Sequence, residues 1–162
     1  MTNINFALES ISREMRVGTA YHCESSNGAF TRQQLTPDCP YSGSGPNLIA
    51  FRSSELDPTS SPSAPCYLIF AYRFKSDTAH PGEFILEKAE QQDCNDPLNT
   101  NDFTQVVSPN VSITGYKISV LNDTANHPYP LAYIRIEGYA GAREKERTYF
   151  DVQTSISARL KE

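Results

Sequence analysis

Tryptophan is missing from the 162 residues, and histidine occurs only three times, at His22, His80 and His127. The four cysteines, Cys23, Cys39, Cys66 and Cys94, form no Cys-x-x-Cys pair. With the histidines far apart in sequence, that spacing argues against a structural zinc site. No run of about 18 apolar residues exists, so the sequence as given has no segment able to span a bilayer as a helix. Nor does a charged-then-apolar-then-small lead-in mark a signal peptide. An excess of positive charge is lacking too. The formal net charge is -5, which gives no electrostatic footprint for nucleic acid.

What is present suffices for one domain, read over residues 1–162, with a real core. An even cysteine count in loop-rich surroundings fits two disulfides and an oxidising compartment. Three connectivities are open. Sequential pairing, Cys23 with Cys39 and Cys66 with Cys94, needs the smallest loops.

In the opening segment, Ile4, Leu8, Ile11 and Met15 recur at steps of four, three and four. They form one apolar stripe on a helix expected over residues 1–18. Gly18 follows the last periodic residue and supplies a stop signal. The start is less well written. Thr2 is followed at the capping-box offset by Asn5, not by Glu or Gln. A helix with a clear stop and no start predicts a longer parent helix.

Residues 19–162 read as mainly antiparallel β-structure. Residues 19–65 are turn-rich, with "SSNG", "TPDCPYSGSGPN" and "DPTSSPSAP". Short strands are expected between them in "AFTRQQL" and "NLIAFRS". "CYLIFAYRF" at 66–74 is an almost continuous apolar strand, which predicts cover on both faces. It pairs with "EFILEKAE" in a hairpin. Further strands are expected in "SITGYKISVL" and "PLAYIRIEGYAG". The last strand alternates cleanly: Phe150, Val152, Thr154, Ile156 and Ala158 on one face, Tyr149, Asp151, Gln153, Ser155 and Ser157 on the other. The fold class expected is α+β, with the N-terminal helix burying its stripe on an antiparallel sheet.

That order of elements resembles the minor pseudopilins of type II secretion, of the J type, and the related W-type minor pilins of type IV filaments. Three stretches carry the resemblance. "ALESISREMRVG" is similar to the point where the family's long helix enters the globular head. "VVSPNVSITGYKISV" is similar to a family strand written "L.SPDV.I..L.F.V". "IRIEGYAG…RTYFDVQTSISAR" is similar to the closing hairpin. They occur in the family's order, and the cysteine-bearing middle is unmatched.

The resemblance implies a pilin-like head and a non-catalytic structural role in filament initiation or at the filament tip. The implied partners are other pilins or pseudopilins. A hydrophobic helix before Thr2 is implied as well, anchored in the inner membrane before assembly, with Met1 an introduced start. The implied location is a surface filament or the periplasm.

For catalysis, "SGSG" at 42–45 is not Gly-x-Ser-x-Gly and lacks a strand-to-helix setting. His80 and His127 each precede a proline in a turn. No catalytic residue is assigned and no cofactor is expected. The one metal candidate is a surface loop, "DCNDPLNTND" at 93–102. Hard cations take several oxygen ligands, and Asp93, Asn95, Asp96 and Asp102 supply them, with Asn99 and Asn101 nearby. The loop is not an EF-hand, since it has no Gly at the sixth place and no Glu at the twelfth. The rival reading is a secreted β-rich module that binds carbohydrate or protein. Nine tyrosines and eight phenylalanines allow it, and the missing tryptophan weakens it.

Overall fold

The computed structural model describes residues 2–25, 39, 46–121 and 131–157. The expected strand in "AFTRQQL", the "SGSG" turn, His127 and Ala158 lie outside the described residues.

One helix, α1 (Thr2–Arg16), opens the chain. Strands follow at β1 (Thr19–Glu24), β2 (Leu48–Leu56), β3 (Tyr67–Ser76) and β4 (Phe84–Glu90). Then come β5 (Thr104–Gln105), β6 (Val111–Leu121), β7 (Leu131–Ala140) and β8 (Thr148–Ser157). All eight strands join one sheet in the order β1-β2-β3-β4-β6-β7-β8, with the short β5 also pairing β4. Every pairing is antiparallel.

The fold class therefore needs correcting from a pilin-like α+β head to a β-rich fold with a single helix. Among the described residues 52% are strand, against one α-helix of 15 residues. Two strands were not legible as such. β1 lies within a segment read as turn-rich, although Tyr21 and Cys23 alternate inward in it. β5 is only two residues long, too short to show a period. A helix on a sheet face is the part of the expectation that remains.

The sheet bends around that helix. Ser12 meets Thr154 of β8 while Glu14, two residues on, meets Tyr72 of β3 and Lys88 of β4, so strands far apart in the order close on one turn of α1. The main core joins the α1 stripe to inward residues of seven strands, among them Phe51, Tyr72, Leu86, Ile113, Ile134 and Ile156. β6, β7 and β8 alternate as their sequences do, with Ile118, Val120, Ile134, Ile136 and Ile156 buried.

β3 is buried on both faces for a reason only the fold supplies. Phe70, Tyr72 and Phe74 enter the main core. Ile69 and Ala71 join Leu48, Ala50, Ala89, Leu98 and Phe103 in a second core on the outer face. The loop read as wholly surface thus carries one buried anchor, Leu98, and a second, Phe103, follows directly after it. Beside them the Arg73 Nε donates to Glu87 Oε2 at 2.6 Å and Arg73 Nη2 to the Thr100 carbonyl at 3.1 Å. The Arg73 guanidinium also lies 3.9 Å from the centre of the Phe103 ring.

Candidate functional site

The helix seat is where the chain spends most of its specific chemistry. Ile4, Leu8, Ile11 and Met15 are all buried, with Ala7 and Ser12 beside them. Phe6, on the opposite side of α1, is 72% exposed. The helix ends at Arg16, two residues short of the expected limit, because the next residues turn. Gly18 N–H donates to the Met15 carbonyl at 2.9 Å. A Cβ on Gly18 would lie 2.5 Å from the Phe51 ring, so it is the close approach, and not a left-handed backbone, that requires glycine there. The Tyr21 hydroxyl also donates to the Met15 carbonyl, covering a carbonyl that the helix end leaves without an intrahelical partner. Burial pushes the Tyr21 pKa well above that of an ordinary phenol.

Polar links fix the helix along its length. Ser108 N–H donates to Asn3 Oδ1 at 2.9 Å. The Ser12 and Thr154 hydroxyls meet at 3.2 Å. Glu14 receives the Tyr72 hydroxyl at 2.6 Å and the Lys88 ammonium at 2.7 Å. Lys88 also pairs with Glu90 and lies 4.7 Å from the centre of the Phe70 ring. Burial works against its charge, but Glu14 and Glu90 outweigh that and hold its pKa above the usual lysine value. Burial, and next the Glu14 carboxylate, raise the Tyr72 pKa. Glu14 lies outside the apolar stripe, and its sequence neighbourhood names neither Tyr72 nor Lys88. No local signal could have found this network.

The cysteines pair as Cys23–Cys39 and Cys66–Cys94. The first ties residue 39 to β1, and the second ties the 91–103 loop to the start of β3. Two disulfides belong to an oxidising, extracellular or periplasmic setting. No helix among the described residues is long and apolar enough to cross a membrane. Asp57 reinforces the second bridge. Its carboxylate accepts the Thr59 hydroxyl at 2.6 Å, the Cys94 N–H at 3.0 Å and the Thr59 N–H at 2.7 Å. Those hydrogen bonds hold its pKa below the usual carboxylate value.

The oxygen-rich loop turns its side chains to its own backbone. Asp93 Oδ1 accepts both the backbone and the side-chain N–H of Asn95, at 2.8 and 3.0 Å. Asp102 Oδ2 accepts the Asn99 N–H at 2.6 Å. Asp96 and Asp102 line a cleft of about 520 Å³ with Glu90, Gln91 and Asn99. Among the described residues, only Asp77, His80 and Glu83 bring three such ligand atoms within 4.8 Å of one another. The three aspartates of the calcium candidate, Asp93, Asp96 and Asp102, do not form such a group of His, Cys, Asp or Glu ligands. The Asp77 trio lies in the β3–β4 turn, where His80 Nδ1 sits 2.8 Å from Asp77 Oδ2. That hydrogen bond raises the His80 pKa.

A second cleft, of about 490 Å³, opens beside the seam where β4 meets β6 through the single pair Phe84↔Ile113. Asn47, Lys75, Asn101 and Tyr116 line it, with Phe74 and Phe84. Tyr116 stacks on Phe74 at 4.2 Å and meets Phe84 edge-on at 4.8 Å. Burial raises the Tyr116 pKa. Comparison with known proteins gives no match: no family model, no curated protein and no solved structure is similar to this chain.

Proposed function

We propose that the chain is a non-catalytic structural subunit of an extracytoplasmic filament, a minor pilin or pseudopilin acting in filament initiation or at the tip. One observation carries this reading: the stripe Ile4, Leu8, Ile11 and Met15 is fully seated on the concave sheet face. The opposite side of α1 stays exposed at Phe6. A helix held this firmly can transmit a pull or a position from its N-terminal end to the whole sheet. The three stretches of sequence resemblance support the same reading. On this reading the partners are other pilins or pseudopilins, and an apolar helix preceding Thr2 anchors the subunit in the inner membrane before assembly. The reading frame upstream of Thr2 in the natural gene tests it. A leader ending in Gly, then Phe and an apolar stretch of about 20 residues, is expected. A frame that encodes no such stretch overturns the proposal.

A second reading is favoured by the β-rich fold and by the cleft at Tyr116. It makes the chain a secreted module that binds a hydroxylated ligand, with the Tyr116 ring and the Asn47 and Asn101 amides as contacts. A glycan-array screen of the wild type against Tyr116→Ala separates the two readings. Binding lost in the variant favours the module, and no binding by either protein favours the filament subunit.

A further inference from the structure

The two edges of the sheet are built differently. β1 is short, shifts register between Thr19 and His22, and carries Ala20 at φ 53°. The Cys23–Cys39 bridge fixes Cys39 to it. Bulges, short length and a covering segment are devices that keep an edge from pairing with another chain. Among the described residues β8 has none of them. Its ten residues pair with β7 without a break, from Ala140↔Thr148 to Leu131↔Ser157. Among the described residues, no backbone group of any other element hydrogen-bonds to it. It contains no proline, lysine or glycine. Its inward row is half covered. Val152 is only half-buried, although Ile136 beside it is fully buried.

We infer that β8 is a self-association edge, where a second copy of this chain adds its own β8 antiparallel across a twofold axis. The occupant follows from the strand's own sequence. An added strand must place apolar residues on the concave side and polar residues on the wet side, and β8 already has that alternation. A twofold centred on Gln153 sets Phe150 opposite Ile156 and Val152 opposite Thr154 on the inner face. On the wet face it sets Asp151 opposite Ser155. Asp151 is the strand's one charged residue, and it is bound to Arg135 at 2.9 and 2.6 Å. No like charges therefore meet across the pair. Such an interface is isologous and closes at two copies. The inference holds whichever reading of function is correct.

Sedimentation of the 162-residue chain from about 1 μM to 1 mM, with hydrogen exchange across the same range, tests it. A dimer is expected, and the outward amides of β8 should gain protection as it forms. Gln153→Lys places two like charges opposite each other and should weaken the dimer by roughly fivefold; Gln153→Met, which also loses the Tyr133 hydrogen bond but adds no charge beside Arg135, should not weaken it. Ser155→Lys faces Asp151 and should leave association intact or tighten it. A chain that stays monomeric up to about 1 mM overturns the inference and leaves the edge to a different partner. So does a dimer in which β8 amides gain no protection or Gln153→Lys has no effect.

Discussion

Truncating Leu8 to alanine tests the seat of the helix directly. Leu8 is 6% exposed and sits one turn from Ile4 and Ile11, which are 2% and 1% exposed. Its removal takes away buried methyl groups and leaves a cavity. Leu→Ala changes of this kind cost about 2–5 kcal/mol, more where the walls cannot close in. Here the far wall is a sheet whose strands are held in register by their neighbours, so it cannot shift far. A cost near 3 kcal/mol or above follows. For a chain of this size that corresponds to about 6–12 °C in thermal midpoint. Urea unfolding with the disulfides intact measures it, and an unchanged slope with denaturant shows that only stability has moved. Phe6→Ser is the control on the exposed side of the same helix, with an expected change within about 0.5 kcal/mol. If the two variants unfold alike, α1 is not seated as described, and the reasoning about its role loses its support.

Other consequences can be measured on the same protein. Lys88→Met strips Glu14 of a charged partner and should cost about 1–3 kcal/mol; a double-mutant cycle with Glu14→Gln should show coupling of about 0.5–3 kcal/mol, and additivity would remove the proposed network. Replacing Cys66 and Cys94 by serine opens a loop with a sequence separation of 28, for a loss of about 3.5 kcal/mol in the chain-entropy account, and it should speed hydrogen exchange over 91–103 more than elsewhere. The hydrogen bonds on Asp57 lower its pKa, so their stabilisation is complete above the usual carboxylate value of about 3.9 and vanishes as pH falls through the lower folded value. In Asp57→Asn this part of the acid dependence should disappear. His80 has the opposite sign. Its pKa is raised by Asp77, so the pair stabilises the turn fully below about pH 6.5 and is lost as pH rises through the raised value. NMR titration should find His80 above the usual value in the wild type and lower in Asp77→Asn.

Local periodicity was enough to read α1 and the strands β6, β7 and β8, because each repeats its apolar residues at the spacing its own backbone imposes; β2, β3 and β4 were legible as short apolar runs between turns. The stripe Ile4, Leu8, Ile11 and Met15 was legible for that reason, as was the alternation from Phe150 to Ile156. The double burial of β3 was legible as a pattern, but its second cover was not. Leu98 and Phe103 sit in a loop without a period, and only the sheet beneath gives them something to bury against. The calcium reading of Asp93, Asn95, Asp96 and Asp102 came from counting oxygen donors. Composition cannot show that two of those side chains turn back to their own loop.

By itself, then, the sequence determined which residues face inward along α1 and the alternating strands β6, β7 and β8, and that four cysteines would suit an oxidising setting. Only the tertiary structure decided that the sheet curves around the helix, that Glu14, Tyr72 and Lys88 meet, and that one edge strand pairs irregularly and the other without a break. Inward and outward are set by a spacing of a few residues along one chain segment. Curvature, convergence and open edges depend on contacts between residues dozens of positions apart, and no repeat within a single segment encodes those.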